Sequence, residues 1–313
     1  MSDFPTVLVT GAGGAAGVAV ILALRNTTRV VAADADPTAV GLRLAHDAGV
    51  IPRSVQDEFV QEVEDLALRS NAKVLVCTVA EEIVPLVRDS KVLLDAGIAT
   101  WLPSADAVAM CIDKWRFATR CLQVGIPIPV TALGTTEGVE PPWVIKPRFG
   151  RGSRDVFVIQ EQDEAAWILH RVPEPIVQAR LGGTEFTADV LVDRDGDVAG
   201  IVPRWRLETK AGISTKGRTF WHEGLVSDVR RLLACIGLQG PANIQGFITS
   251  DGQVSFTEVN PRFSGGLPLS IAAGADFIGE YIRGVLGHSI RRNRLKARTG
   301  VTMGRYFAEV FEE

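Results

Sequence analysis

Four residues near the end of the chain carry the groups best suited to chemistry. Glu258, Asn260 and Arg262 alternate at the end of a strand-like run that starts after Gly252, and Gln245 lies in the run before it. Alternate residues share one face of a strand, so a paired strand brings Gln245 beside Glu258 and Asn260. Ser250-Asp251-Gly252 reads as the hairpin turn that joins the two runs. The set is a carboxylate and two amide oxygens with a guanidinium at its border. Hard oxygen donors of this kind suit Mg²⁺ or Mn²⁺, and Mg²⁺ commonly keeps several waters while it bridges nucleotide phosphates. Arginine suits the phosphates themselves. The competing reading is a polar strand end on the protein surface.

Two lysines in apolar settings extend the pattern. Lys114 sits between Cys111-Ile112 and Trp115, and Lys146 closes the strand-like Trp143-Val144-Ile145 just before Pro147. Residues 148–156 then set Gly150 and Gly152 among Arg148, Arg151, Ser153 and Arg154. This reads as a hairpin tip whose glycines let the backbone approach phosphates and whose side chains add charge and donors. Most glycine-rich turns bind nothing; a strand lysine directly before this one sets it apart. Segment 204–218 is densely basic and contains Gly212 and Gly217. A charge run of this kind is usually a solvated face.

In this order the pieces resemble the ATP-grasp superfamily. The matched pieces are Asp113-Lys114, Val144-Ile145-Lys146-Pro147, the glycine-rich tip, Val177-Gln178-Ala179-Arg180-Leu181 with Gly183-Thr184-Glu185-Phe186, and Gln245 with Glu258-Val259-Asn260-Pro261-Arg262. Gln245 and the strand Glu258-Val259-Asn260-Pro261-Arg262 give it the flavour of the carbamoyl-phosphate-synthetase large-subunit-like branch. The resemblance covers roughly residues 5–290 and implies an α/β protein. Its expected parts are an N-terminal Rossmann-like parallel domain (1–103), a lid subdomain (104–175) and a C-terminal antiparallel α+β grasp subdomain (176–313). It implies a Mg²⁺–ATP-dependent ligase that phosphorylates a small carboxylic acid, such as an amino acid, and joins the acyl phosphate to an amine. Lys114, Lys146 and residues Gly150, Arg151, Gly152 and Ser153 would meet the phosphates. Gln178, Ala179 and Leu181 would offer backbone groups to adenine, and Glu185 would hold the ribose. Many relatives carry Glu in this linker, where Gln178 and Ala179 stand here. Gln245, Glu258 and Asn260 would bind the metal. The 204–218 segment would be a loop that closes over the reaction, with Ala211, Gly212 and Ser214 near the nucleotide and Lys216 or Arg218 at the transferring phosphoryl. Arg262 and the glycines after it would either bind substrate or cap the next helix. The resemblance leaves room for a homodimer.

Composition fits this. The chain has 313 residues, enough for more than one domain, and a formal net charge of −4, which leaves no basic footprint for nucleic acid. No apolar run approaches the ~20 residues of a membrane helix, and Met1-Ser2-Asp3-Phe4-Pro5 lacks the charged start of a signal peptide. Cys77, Cys111, Cys121 and Cys235 are scattered, which suits free thiols in the cytoplasm. His46, His170, His222 and His288 show no ligand spacing.

The elements that must position these groups can be read from periodicity. Residues 6–10, 29–34 and 73–78 are apolar strand runs, with helices at 18–24 and 56–70 between them, which is a parallel α/β pattern. Gly11, Gly13 and Gly17, with Asp34 some twenty residues on, resemble a dinucleotide fingerprint. ATP-grasp proteins commonly begin with such a domain without needing NAD, and the glycines then serve tight strand-to-helix packing. A Rossmann-type oxidoreductase, carboxyphosphate chemistry and a non-catalytic ATP-binding protein are the alternatives. Ser104 is placed to cap a helix at 105–112, and a second helix follows at 114–124. A helix at 160–171, antiparallel strands at 184–192, 197–203, 243–249 and 253–259, and one helix at 270–286 complete the reading.

Overall fold

The computed structural model describes residues 5–150, 152 and 154–311. Its first sheet is parallel, in the order β3-β2-β1-β4, from β1 (Val7–Thr10), β2 (Val30–Asp34), β3 (Asp47–Val50) and β4 (Val74–Cys77). Strands β1 and β4 are buried along their whole length. That explains their continuous apolar runs, because helices cover both faces of a parallel sheet. The helix Ala15–Leu24 lies so close to the turn before it that a Cβ on Gly17 would overlap the Gly11 carbonyl.

The second sheet is antiparallel, in the order β5-β8-β6-β7, from β5 (Thr131–Leu133), β6 (Trp143–Pro147), β7 (Phe157–Ile159) and β8 (Pro175–Ala179). Trp143, Ile145 and Ile159 pack with Ala165 and Ile168 of the helix Gln162–Arg171. Lys146 therefore falls on the opposite face, by alternation. Because β8 runs to Ala179, this sheet extends past residue 175.

The third sheet carries six antiparallel strands in the order β13-β12-β9-β10-β11-β14. These are β9 (Thr184–Val192), β10 (Val198–Lys210), β11 (Ile213–Thr219), β12 (Gly240–Ile248), β13 (Val254–Asn260) and β14 (Thr302–Gly304). Phe186, Ala188, Val190, Ala242, Ile244 and Val259 face a core shared with the helices Ala105–Ile112, Lys114–Gln123 and Glu223–Ile236. The two helices at 105–123 thus pack on the large sheet. The alternate residues Glu185, Thr187, Asp189, Arg204, Arg206, Asn243 and Gln245 fall on the other face, which is polar at one end. At its far end this face joins the core of the parallel domain through Leu191 and Val202.

Two expectations are corrected. Segment 204–218 is a β-hairpin, not a loop: β10 and β11 pair from Arg204↔Thr219 to Lys210↔Ile213. Its turn is only Ala211-Gly212, both with positive φ (46° and 75°), which is the two-residue geometry that matches strand twist. The charged side chains that suggested a loop are those of a strand pair near the sheet edge. The single helix expected at 270–286 is two, Leu267–Ala272 and Phe277–Val285, because the Asp276 side chain caps a fresh helix at the Gly279 amide. Among the described residues, no helix is long and apolar enough to cross a membrane.

Candidate functional site

The β12–β13 register sets Gln245 directly opposite Glu258, and Asn243 opposite Asn260. Asn260 Nδ2 donates to Glu258 Oε1 at 3.0 Å, and Arg262 Nη2 donates to Asn260 Oδ1 at 3.3 Å. Arg262 Nη1 also donates to the Phe263 carbonyl at 2.8 Å, so this guanidinium spans the strand end and the loop after it. The donors are hard oxygens throughout. Among the described residues no three His, Cys, Asp or Glu side chains gather as a metal site. A divalent ion held here would complete its shell from amide oxygens, phosphates and water, which is the habit of Mg²⁺. The residues present fit that ion.

Across from this strand end stand the two lysines. Lys146 is buried, and burial lowers its ammonium to about 8; Glu258 pulls it back up and Lys114 pushes it further down. Lys114 is lowered by burial too, against the pull of Glu258, Glu81 and Asp113. Its Nζ donates to the Gly150 carbonyl at 2.8 Å, so it anchors the start of the glycine-rich tip. Gly152 is exposed, and Arg151 and Ser153 lie outside the described residues. Glu185 is raised by burial, with Arg206 opposing and Glu258 adding to the rise. Glu258 thus acts on both lysines and on Glu185, which brings the expected phosphate, ribose and metal residues into one electrostatic neighbourhood.

The linker is more tightly bound to the small sheet than its sequence implied. Gln178 is buried on β8 and its Nε2 donates to Thr131 Oγ1 at 3.0 Å. The Ala179 and Arg180 amides donate to the Val130 and Pro142 carbonyls, each at 2.9 Å. Leu181 follows where the chain crosses to β9.

Arg206 is the residue that sequence reading passed over. It lay in a run expected to form a loop that closes over the reaction, with Lys216 or Arg218 as the working cation, yet it is Arg206 whose side chain is almost fully buried. Its Nη1 donates to Glu185 Oε1 at 2.7 Å and to Gln245 Oε1 at 2.8 Å, and its Nη2 donates to the Gly212 carbonyl at 2.8 Å. One guanidinium thus holds the Glu185 carboxylate, the Gln245 amide oxygen and the hairpin turn. Alternation sets Arg204 and Arg206 on one face and Trp205 on the other, but which face is buried follows only from the tertiary pairing. Arg204, two residues earlier, is wholly buried and donates to Asp189 Oδ1 and Ser264 Oγ, each at 2.9 Å. Asp189 also accepts from Ser270 Oγ at 2.6 Å. Removing one partner of so buried a pair costs about 3–5 kcal/mol.

Lys216 and Arg218 are not brought to this cluster. Lys216 makes an exposed ion pair with Glu208 at 2.8 Å. Arg218 pairs with Trp205 across the hairpin and so shares its face, opposite to Arg204 and Arg206. Ser214 is buried, with Oγ donating to the Lys216 carbonyl at 3.0 Å, while Ala211 and Gly212 form the turn held by Arg206. In the parallel domain, the Gly13 amide donates to Asp34 Oδ2 at 2.7 Å and the Asp36 amide to Oδ1 at 3.0 Å. Asp34 therefore braces the glycine-rich turn.

Known proteins share this fold. The family described as ATP-grasp in the biosynthetic pathway with Ter operon matches residues 171–306, a stretch that includes Glu185, Arg206, Gln245, Glu258, Asn260 and Arg262. The arginine-specific large chain of carbamoyl phosphate synthase from Geobacillus stearothermophilus is 24% identical over 200 residues, covering 57% of this chain and 19% of its own. The chain thus spans about a fifth of that relative's length. Biotin carboxylase from Campylobacter jejuni superposes with a TM-score of 0.74 at 14% identity, over 94% of this chain and 74% of that one. N5-carboxyaminoimidazole synthetase from Staphylococcus aureus gives 0.72 at 16%, over 93% and 79%. L-amino acid ligase from Bacillus licheniformis gives 0.69 at 16%, over 91% and 75%.

Proposed function

We propose that this chain, a protein of ATP-grasp fold, is a Mg²⁺–ATP-dependent carboxylate–amine ligase that works through an acyl phosphate. The observation that carries the reading is the hydrogen-bonded group Glu258, Asn260 and Arg262 beside Gln245, tied through Arg206 to Glu185. A site for phosphoryl transfer needs little covalent machinery; it needs positioned charge. Lys114 and Lys146 would take the nucleotide phosphates, which would restore the charge stabilisation that burial removes. Glu185 would turn from Arg206 to the ribose hydroxyls, and the linker 178–181 would present its backbone to adenine. Glu258 and Asn260, with Gln245, would hold Mg²⁺ or Mn²⁺, whose contribution when bound is to neutralise phosphate charge. Arg262 stands at the strand end where the acid and its acyl phosphate would lie, and its guanidinium would meet the charge that develops there. The substrates on this reading are a small carboxylic acid, such as an amino acid, and an amine. A reducing cytoplasm suits the four free cysteines.

Similarity to a carbamoyl phosphate synthase large chain favours a second reading, in which bicarbonate is the acid and carboxyphosphate the intermediate. One experiment separates the two. ADP and phosphate release are measured with Mg²⁺ and ATP over a panel of acids and amines taken pairwise, bicarbonate among the acids. Release that needs an organic acid together with an amine supports the first reading, and release with bicarbonate alone supports the second. No release with any pair, while MgADP binds, would leave an ATP-binding protein without ligase activity.

A further inference from the structure

We propose that Arg305 is a positioning residue that couples the nucleotide-side hairpin to the loop that follows Arg262. The proposal rests on the ligase reading for its catalytic part and on geometry alone for its mechanical part. Arg305 directly follows β14, the edge strand that pairs with β11 through Lys216↔Gly304 and Gly217↔Met303. Its backbone amide continues that ladder, donating to the Thr215 carbonyl at 2.9 Å. Its side chain then leaves the sheet and divides. Nε donates to the Ser214 carbonyl at 2.9 Å, and Nη2 donates to the Gly265 carbonyl.

The two carbonyls belong to different functional segments. Ser214 sits two residues past the Ala211-Gly212 turn, whose Gly212 carbonyl is held from the other side by Arg206. Gly265 lies in the loop after Arg262, and that loop is gripped residue by residue. Arg262 takes the Phe263 carbonyl, Arg204 takes the Ser264 hydroxyl, and Arg305 takes the Gly265 carbonyl. Arg305 thus joins the turn end of the hairpin to this loop, while Arg204 reaches the same loop from the base of the hairpin. Arg305 is exposed overall, but partial desolvation of its guanidinium, with Arg204 close by, works against its charge. A guanidinium has donors in a fixed planar fork and can serve two carbonyls at a set angle. A lysine ammonium is a point charge on a flexible stem and holds no such angle. Movement of the hairpin over bound nucleotide would therefore move the Phe263–Gly266 stretch with it, so Arg305 should govern turnover more than nucleotide affinity.

The test compares the wild type with Arg305→Met and Arg305→Lys. Amide hydrogen exchange is followed over 211–217 and 263–267 without ligand, and MgADP affinity is measured by titration. Exchange in both segments should rise together by about tenfold in Arg305→Met, with MgADP affinity within about threefold of wild type. Arg305→Lys should restore protection to one segment and not both. With the acid and amine pair that turns over, kcat should fall by about tenfold or more while KM for ATP holds. A rise confined to one segment, full rescue by lysine, or a loss of MgADP affinity that matches the loss of turnover would overturn the coupling. If the wild type releases no ADP with any pair, the ligase reading fails, and the exchange and lysine arms still decide whether Arg305 joins the two segments.

Discussion

Asp113 and Arg148 form a two-point fork: Nε donates to Oδ1 at 2.7 Å and Nη2 to Oδ2 at 2.5 Å. The same Oδ1 accepts the amides of Trp115 and Arg116, which open the helix beginning at Lys114. One carboxylate therefore ties the origin of Lys114 to the chain that leaves Lys146 through Pro147. The two lysines are held in register by a residue that need not touch nucleotide.

Replacing Asp113 should separate its two duties. Burial pushes this carboxyl up, but Arg148 and the two amides outweigh burial and hold it below the usual 3.8. Its contribution is complete above that value and is lost as pH falls through the folded one. Asp113→Ala should cost about 1–2 kcal/mol, from a lost helix cap and a partly exposed ion pair. Asp113→Asn keeps a capping oxygen and should cost about half as much. Both should weaken MgADP binding. Thermal melts and titration check this, and unchanged affinity in both variants would dissociate the fork from the lysines.

Lys146 shows the opposite sign. Its folded value of about 8 lies below the ordinary 10.5. Between those values the unfolded chain holds a proton that the folded protein has released, so this group's contribution to stability rises with pH across that window. Nucleotide phosphates need the charged form. MgADP affinity should therefore fall above pH 8 by up to about tenfold per unit. Lys146→Met should weaken binding at neutral pH and remove the slope. A flat profile in the wild type would take Lys146 away from the phosphates.

Glu258→Gln should lower ADP release by about a hundredfold or more, the scale of losing one electrostatic group at a reacting centre. The fold should survive. Because Glu258 supports the charge on Lys146, the break in the MgADP pH profile should also move below 8. Near wild-type turnover with an unmoved break would refute both assignments.

Nucleotide choice is settled by melting temperature. Asp34 is occupied by the Gly13 and Asp36 amides, so the glycine-rich turn is braced without NAD. ATP or ADP with Mg²⁺ should raise the melting temperature, by an increment equivalent to about 2.7 kcal/mol at a hundredfold excess over Kd. NAD(H) should give no shift. The reverse pattern would point to an oxidoreductase.

Strand alternation made the shared face of Glu258 and Asn260 legible in the sequence. Glu258 and Asn260 share a face because they are two apart; the turn at 250–252 alone would set Gln245 opposite Thr257, and a bulge beside Gly246 shifts the register to Glu258. Lys146 follows from the same rule, since Trp143 and Ile145 must face the small core. The placements of Glu258, Asn260 and Lys146 use only the period of a strand; the pairing of Gln245 with Glu258 needs the bulge as well.

Arg204, Arg206 and Arg305 could not be placed that way. A basic, glycine-containing run does not reveal which cations are buried, because the local pattern of a solvated hairpin and of a charged site is the same. What decides is tertiary: a two-residue turn at 211–212 makes the run a hairpin, and its register turns Arg204 and Arg206 inward while Trp205 and Arg218 face the other way. Arg305 acquires its two carbonyl partners only when β14 docks on β11, 91 residues after Ser214 and 40 after Gly265. Residue types and short-range periods thus determined which groups could do chemistry. Long-range strand pairing determined which of the arginines reach them, because burial of a charge depends on what the rest of the chain places around it.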